Sequence, residues 1–352
     1  MKENTEKSVE DRKNNWKLIV VGLVLALIFT IFLSSGIGPV WIPLPDVGGI
    51  ILDRIPLLSR LVSGPFSEVS ETIVMNLRLP RIIIGVLVGA ALGVAGAAVQ
   101  GIFRNPMAEP YTVGVSSGAA LGAIVVIFFG MTIAGTYTLP IVSFLFALGT
   151  ILTVYRIAKV DGKIPVGILL LSGIAISLFL QAIVSTFMYM AGEELQRMVF
   201  WIMGGLWGRN WTHVQMILPP ILLGIFGIFS FSKDLDAMLL GEESAQHLGV
   251  KVERTKKYLL ILASVITAAA VAVSGVIGFV GLIIPHIMRI LIGPRHRVLF
   301  PASAFGGAIF LVWADNLARM LPTVGEIPVG IITALAGAPF FIYLLRKKKY
   351  SY

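Results

Sequence analysis

Ten apolar runs, near residues 18–37, 80–102, 112–134, 137–157, 165–190, 212–232, 257–276, 278–292, 298–317 and 327–345, alternate with short polar breaks bearing proline and glycine. Stretch 82–99 carries no charged side chain, and as a helix it would reach about 27 Å, close to the hydrocarbon thickness of a bilayer. Lipid offers no partner to an open backbone, and none of the runs alternates like a barrel strand, so helices are the form in which they cross. Composition agrees: with 57% hydrophobic and 13% charged residues and a mean hydropathy of +0.90, the chain has too little polar surface to cover a water-soluble globule of its size. The reading is an all-α polytopic membrane protein of about ten transmembrane helices. Run 278–292, short and broken by Pro285, fits either a full or a partly re-entrant crossing.

Orientation follows from the cations. Placing 1–17, 103–110, 156–165, 233–257, 289–297 and 346–349 on one side gathers 21 of the 28 lysines and arginines there. Arg54, Arg60, Arg78, Arg81, Arg197, Arg209 and Arg319 are left for the other. The positive-inside tendency then makes both termini cytosolic. The chain divides into a cytosolic tail 1–17, a membrane-embedded body 18–345 whose loop 233–257 is cytosolic, and a tail 346–352. The N-terminal run has no cleavage signature near its end and reads as a retained span. A net charge of +9 reflects cytosolic loops, with no basic face interleaved with stacking aromatics to suggest nucleic acid. Zero cysteines exclude disulfides and thiolate sites. Outside, 47–62 suggests a short surface helix, and 192–211, with Trp201, Trp207 and Trp211, a helix lying at the interface. Gly85, Gly89, Gly93 and Ala97, four apart, put a groove along one face of the second span, read as packing within the subunit.

Several motifs stand in fixed order: Arg78-Leu79-Pro80-Arg81; Asn105-Pro106-Met107-Ala108-Glu109-Pro110; Gly114-Val115-Ser116-Ser117-Gly118; a loop centred on 240–249; 278–289, containing Pro285-His286; Ala314-Asp315-Asn316; and Glu326-Ile327-Pro328. Together, over about residue 17 to the end, they resemble the permease subunits of bacterial and archaeal ATP-driven importers for ferric siderophores, haem and cobalamin. The resemblance implies the type II importer permease architecture and a place in the cytoplasmic (inner) membrane. The implied partners are a second copy or paralogue, two ATP-binding subunits beneath, an extracytoplasmic substrate-binding protein and surrounding lipid. It names ferric siderophore as leading cargo on frequency within the family, with haem, cobalamin or molybdate as alternatives.

Loop 233–257 reads as two short helical pieces, 235–240 and 242–248, closed by Gly249. Ala245 and Leu248 share a face that could enter a groove on a partner, while Glu242, Glu243 and Gln246 face water; a solvated connecting loop reads equally well from these residues alone. The resemblance makes it the coupling element docking on the ATPase, through Leu240, Gly241, Glu242, Glu243, Ser244, Ala245, His247, Leu248 and Gly249. It places Arg78, Arg81 and Arg319 at the outer face toward acidic groups of the binding protein. A headgroup anchor is the ordinary alternative for Arg81, and an Asp315–Arg319 ion pair four residues apart is geometrically easy. The cytosolic gate falls on Asn105 and Met107, with Val166 and Gly167 opposite; there the family has a polar loop, whereas this chain reads Lys163-Ile164-Pro165-Val166-Gly167.

No G-x-x-x-x-G-K-[ST] occurs, so ATP and its magnesium belong to another polypeptide and no cofactor is expected on this one. Asp315 is the one acidic residue well inside a run, too few for an ion-coupled secondary carrier, the remote alternative. No catalytic or metal-ligating set emerges, since His286 stands apart from His213, His247 and His296.

Overall fold

A computed structural model describes residues 2–54, 66–160, 164–321 and 325–349. Its helices are α1 (Lys2–Gly36), α2 (Leu44–Asp53), α3 (Glu68–Thr72), α4 (Leu79–Phe103), α5 (Val115–Phe128), α6 (Thr138–Ala158), α7 (Val166–Met190) and α8 (Leu195–Met203). They continue with α9 (Trp211–Ser230), α10 (Ser232–Met238), α11 (Glu242–His247), α12 (Val252–Ser274), α13 (Val280–Ile292), α14 (His296–Met320) and α15 (Val329–Lys349). Among the described residues seven helical stretches are long and apolar enough to cross a membrane, within α1, α3–α4, α6, α7, α9, α12 and α14. Three shorter apolar helices, in α5, α13 and α15, occupy the remaining expected positions.

Helix α4 is the axis, buried on nearly every side and packed by α14, α12, α13 and α9. Its small residues make this possible. A Cβ on Gly89 would run into the carbonyl of Gly307 on α14, and one on Gly96 into that of Gly281 on α13, so backbone meets backbone where a side chain would hold the helices apart. The glycine stripe is thus spent inside the subunit, as its sequence suggested.

The short helices have a common cause. Helix α4 ends on left-handed Arg104 (φ 47°), with Arg104 N–H donating to Gly101 and Asn105 N–H to Gln100. The chain then returns as a non-helical segment and a single 3₁₀ turn, Pro110–Val113, before α5 starts. A matching break at 275–279 separates α12 from α13. These open stretches lie against each other. The Phe279 N–H donates to Glu109 Oε1 at 3.0 Å, the Tyr111 hydroxyl to Ile277 O at 2.9 Å, and Gln100 Nε2 to Leu282 O at 3.1 Å. Irregular backbone at membrane depth survives where protein satisfies it. The expected crossings 112–134 and 278–292 are thus occupied by the short helices α5 and α13, each entered through one of these bonded loops.

Segment 192–211 departs from expectation. Gly204 (φ 70°) stops α8 at Met203, and Met198 and Trp201 are buried. The rest is a turn that folds Trp207 over Gly205 and closes with Trp211 Nε1–H donating to Met75 O at 2.9 Å. The expected helix over 47–62 is α2, seated on Ile42 and Val74 through Val47 and Ile50; positions 55–65, including Arg60, lie outside the described residues, as does Lys163.

Candidate functional site: a tethered helical lip and an internal arginine cluster

At one end of the bundle, α10 and α11 form a lip whose inner side is bonded into the spans. Asp236 Oδ1 accepts from the backbone N–H of His296 at 2.6 Å and meets its Nδ1 at 2.9 Å, tying α10 to the start of α14. Thr255 Oγ1 donates to Asp234 Oδ2 at 3.3 Å, tying it to α12. Gly241 (φ 121°) turns the chain into α11, whose last turn closes with Val250 N–H to Ala245 O at 3.0 Å and Gly249 N–H to Gln246 O at 2.9 Å. That double bond around left-handed Gly249 (φ 87°) is the Schellman stop that Gly249 suggests in the sequence.

The lip's faces differ from expectation in two ways. Ala245 is buried in its own chain, while Leu240 and Leu248 are 71% and 66% exposed, flanked by Leu239 and rimmed by Glu243, Ser244, Gln246 and His247. Helix α11 ends at His247, and Leu248 follows as its capping residue, its N–H donating to Ser244 O at 3.1 Å. Glu242 does not simply face water: its Oε1 holds Lys256 Nζ at 2.7 Å, and Lys256, on α12, is 4% exposed. The same ammonium meets Glu253 Oε1 at 3.3 Å, and Glu253 Oε2 accepts the N–H of Ile164 at 3.1 Å. A polar chain thus runs from α11 through Lys256 and Glu253 to the backbone two residues before Val166.

Val166 and Gly167 open α7, Val166 half-buried and Gly167 exposed. Asn105 and Met107 lie just past α4, in a turn closed by Met107 N–H donating to Asn105 Oδ1 at 2.9 Å. The Glu253–Ile164 bond is what links Val166 and Gly167 to the lip.

At the opposite end stand Arg78, Arg81 and Arg319, turned inward. Arg81 clasps Asp315 with Nη2 to Oδ1 at 2.8 Å and Nε to Oδ2 at 3.0 Å, and reaches Glu326 Oε2 with Nη1 at 2.7 Å. Arg319 Nε stands 3.2 Å from Asp315 Oδ2, its Nη1 donates to Ile37 O at 3.3 Å and its Nη2 to Asn316 Oδ1. Arg78 donates to the carbonyls of Ser35, Gly36 and Val40, closing the end of α1. All three are under a tenth exposed. The easy Asp315–Arg319 pair is present, and Asp315 serves two arginines. Each of the three arginines that the resemblance offers to a partner is thus also bonded to carbonyl or carboxylate oxygen within the chain. Sequence reasoning missed Glu326, which sits in a turn with no periodicity to place it, and Lys256, whose i,i+3 spacing from Glu253 was a readable signal.

Comparison with known proteins gives concordant matches. The model of the FecCD transport family matches residues 12–347. The cobalamin import system permease protein of Halobacterium salinarum is 48% identical over 84% of this chain and 80% of its own length. The Fe(3+) dicitrate transport system permease protein of Escherichia coli is 38% identical over 78% of this chain and 85% of its own, and the molybdate import system permease protein of Haemophilus influenzae 36% over 96% and 97%. Among solved structures, a metal-chelate type ABC transporter in an inward-facing conformation superposes with a TM-score of 0.82 at 35% identity, covering 94% of this chain and 99% of that one.

Proposed function

Since the chain belongs to the FecCD transport family, we propose that the importer it serves carries a large metal chelate, a cobalamin-type corrinoid before a ferric siderophore. The chain is a multi-pass permease subunit of an ATP-driven importer, and hydrolysis takes place on a separate subunit. The observation carrying the corrinoid reading is the 48% identity to a cobalamin permease, against 38% and 36% for the dicitrate and molybdate permeases. A ferric siderophore is the second reading, favoured by relatives named for ferric dicitrate, ferric hydroxamate and ferric citrate.

In this reading two copies, or one copy and a paralogue, enclose the path, two ATP-binding subunits grip the lips from the cytosol where both termini lie, and a binding protein delivers cargo outside. Leu239, Leu240 and Leu248 are the apolar knob entering the motor subunit, with Glu243, Ser244, Gln246 and His247 as its polar rim. The bonds of Asp234, Asp236 and Lys256 make the lip a stiff lever, and the Glu253–Ile164 link carries its motion to α7, where Val166 and Gly167 stand at the gate with Asn105 and Met107. Arg78, Arg81 and Arg319 shape the outer docking rim by holding α1, α4 and α14 together; Glu326, more than a third exposed, is the charge of that cluster nearest solvent. The test is ATP-dependent uptake of radiolabelled cobalamin by proteoliposomes holding the chain, its ATPase and its binding protein, with ferric siderophores and molybdate as competitors. Uptake of ferric siderophore with indifference to cobalamin would select the second reading; uptake without the ATPase would overturn the importer mechanism.

A further inference from the structure

At the α8 end, the ends of α5, α6 and α12 stand away from α8 and leave a cavity of about 320 Å³, walled by Ile127, Leu139, Phe200, Trp201, Trp207 and Ser274. Gln196, Arg197 and Arg209 bring the polar groups. The cavity has hydrogen-bond donors in excess and no carboxylate in its lining. Trp201 is 6% exposed, and its Nε1–H has no acceptor among the described residues. Arg209 Nε is likewise enclosed and unmatched, and burial lowers the Arg209 guanidinium to about 10, so it stays charged at neutral pH with no ion pair to a carboxylate among the described residues. Arg197 stands at the exposed rim, already shared with Glu194 at 2.8 Å. Two orphaned donors on one cavity wall, one of them on a cation, are a debt that native structures rarely leave standing.

We propose that this cavity is an oxyanion site of the phosphate type, in which Trp201 Nε1–H and the Arg209 guanidinium donate to the ligand's oxygens while Gln196 and Arg197 close the rim. The apolar share of the wall and its place at the end of the spans admit two sources of that chemistry, the phosphate of a lipid headgroup and a free small oxyanion. Because α8 forms one wall and the ends of α5, α6 and α12 the others, an occupied site pins α8 and the Gly204 turn, which itself accepts from Gly330 N–H of α15 at 3.3 Å. The ligand is thus a clamp on the outer end of the permease, separate from cargo.

The experiment follows thermal unfolding of the full chain in a phosphate-free maltoside detergent, with and without inorganic phosphate, and with added phosphatidylglycerol. Stabilisation by inorganic phosphate identifies a free oxyanion; stabilisation by phosphatidylglycerol alone identifies the headgroup. Either supports the site if Arg209→Gln weakens it about 10- to 100-fold, the span expected for hydrogen bonds to a charged group, while Arg209→Lys retains part. Trp201→Phe gives an independent check: it removes the N–H and lowers affinity for the oxyanion about tenfold, apart from any packing loss, which the ligand-free and occupied chains share. The proposal is overturned if neither additive stabilises the wild type, or if the response survives Arg209→Gln or Trp201→Phe undiminished.

Discussion

Replacing Lys256 with Met separates the lip's attachment from its push. The methionine keeps an unbranched apolar stem in place of the lysine's, so packing on α12 is preserved. What disappears is one ammonium shared by Glu242 Oε1 at 2.7 Å and Glu253 Oε1 at 3.3 Å. Breaking a buried ion pair costs about 3–5 kcal/mol when the abandoned charge stays buried, but here the lysine is the buried partner, 5% exposed, while Glu242 and Glu253 are 40% and 35% exposed. Both carboxylates can rehydrate, and the lysine's own desolvation cost vanishes, so the net loss falls to about 1–2 kcal/mol, concentrated on how α11 sits against α12. In equilibrium terms α11 detaches about 5- to 30-fold more often. The assay is a reconstituted transporter in which ATP hydrolysed and cargo imported are counted together. ATPase binding persists, because Leu240 and Leu248 are untouched, while ATP consumed per imported molecule rises severalfold as the push no longer reaches Ile164. Unchanged stoichiometry would refute the relay, and outright loss of folded protein would show that Lys256 holds the fold instead.

Asp315→Asn should leave Arg81 paired with Glu326 alone and Arg319 without its carboxylate, their side chains 10% and 4% exposed; thermal unfolding in nanodiscs should show a loss of about 3–5 kcal/mol, and adding Arg319→Met should recover part of it. Leu240→Asp with Leu248→Asp should abolish co-purification of the ATPase while the unfolding temperature stays put, since both leucines are mostly exposed and cost the isolated subunit little. Charge reversal at two adjacent acids should diverge: Glu243→Lys alters only ATPase affinity, whereas Glu242→Lys sets a second cation against buried Lys256 and also lowers the chain's own stability, both readable from pull-down and unfolding of the same preparations.

How much was legible in the sequence depended on whether the constraint was local. The long spans were readable because lipid tolerates only internally bonded backbone, so 82–99 could be nothing but a helix. The lip was readable in outline, since Gly241 and Gly249 punctuate it and the stop at Gly249 is a local hydrogen-bond pattern. Which way its residues face was not: Ala245 and Leu248 are three apart, yet the first is packed within the chain and the second exposed, because only the tertiary fold decides which part of that face meets the spans. The lengths of α5 and α13 depend on Glu109 and Tyr111 meeting 277–279, a pairing across 166–170 residues that no periodicity encodes. The arginines show the same limit from the other side. The resemblance offers three arginines to an acidic partner, and only the fold reveals that Asp315, Glu326 and the carbonyls at the end of α1 also bond them within the chain. Charge in a membrane protein is therefore informative in proportion to what is left unmatched after folding. By that measure Arg209 and Trp201, with no acceptor for their Nε and Nε1 hydrogens among the described residues, are the donors at the α8 end that point to a ligand.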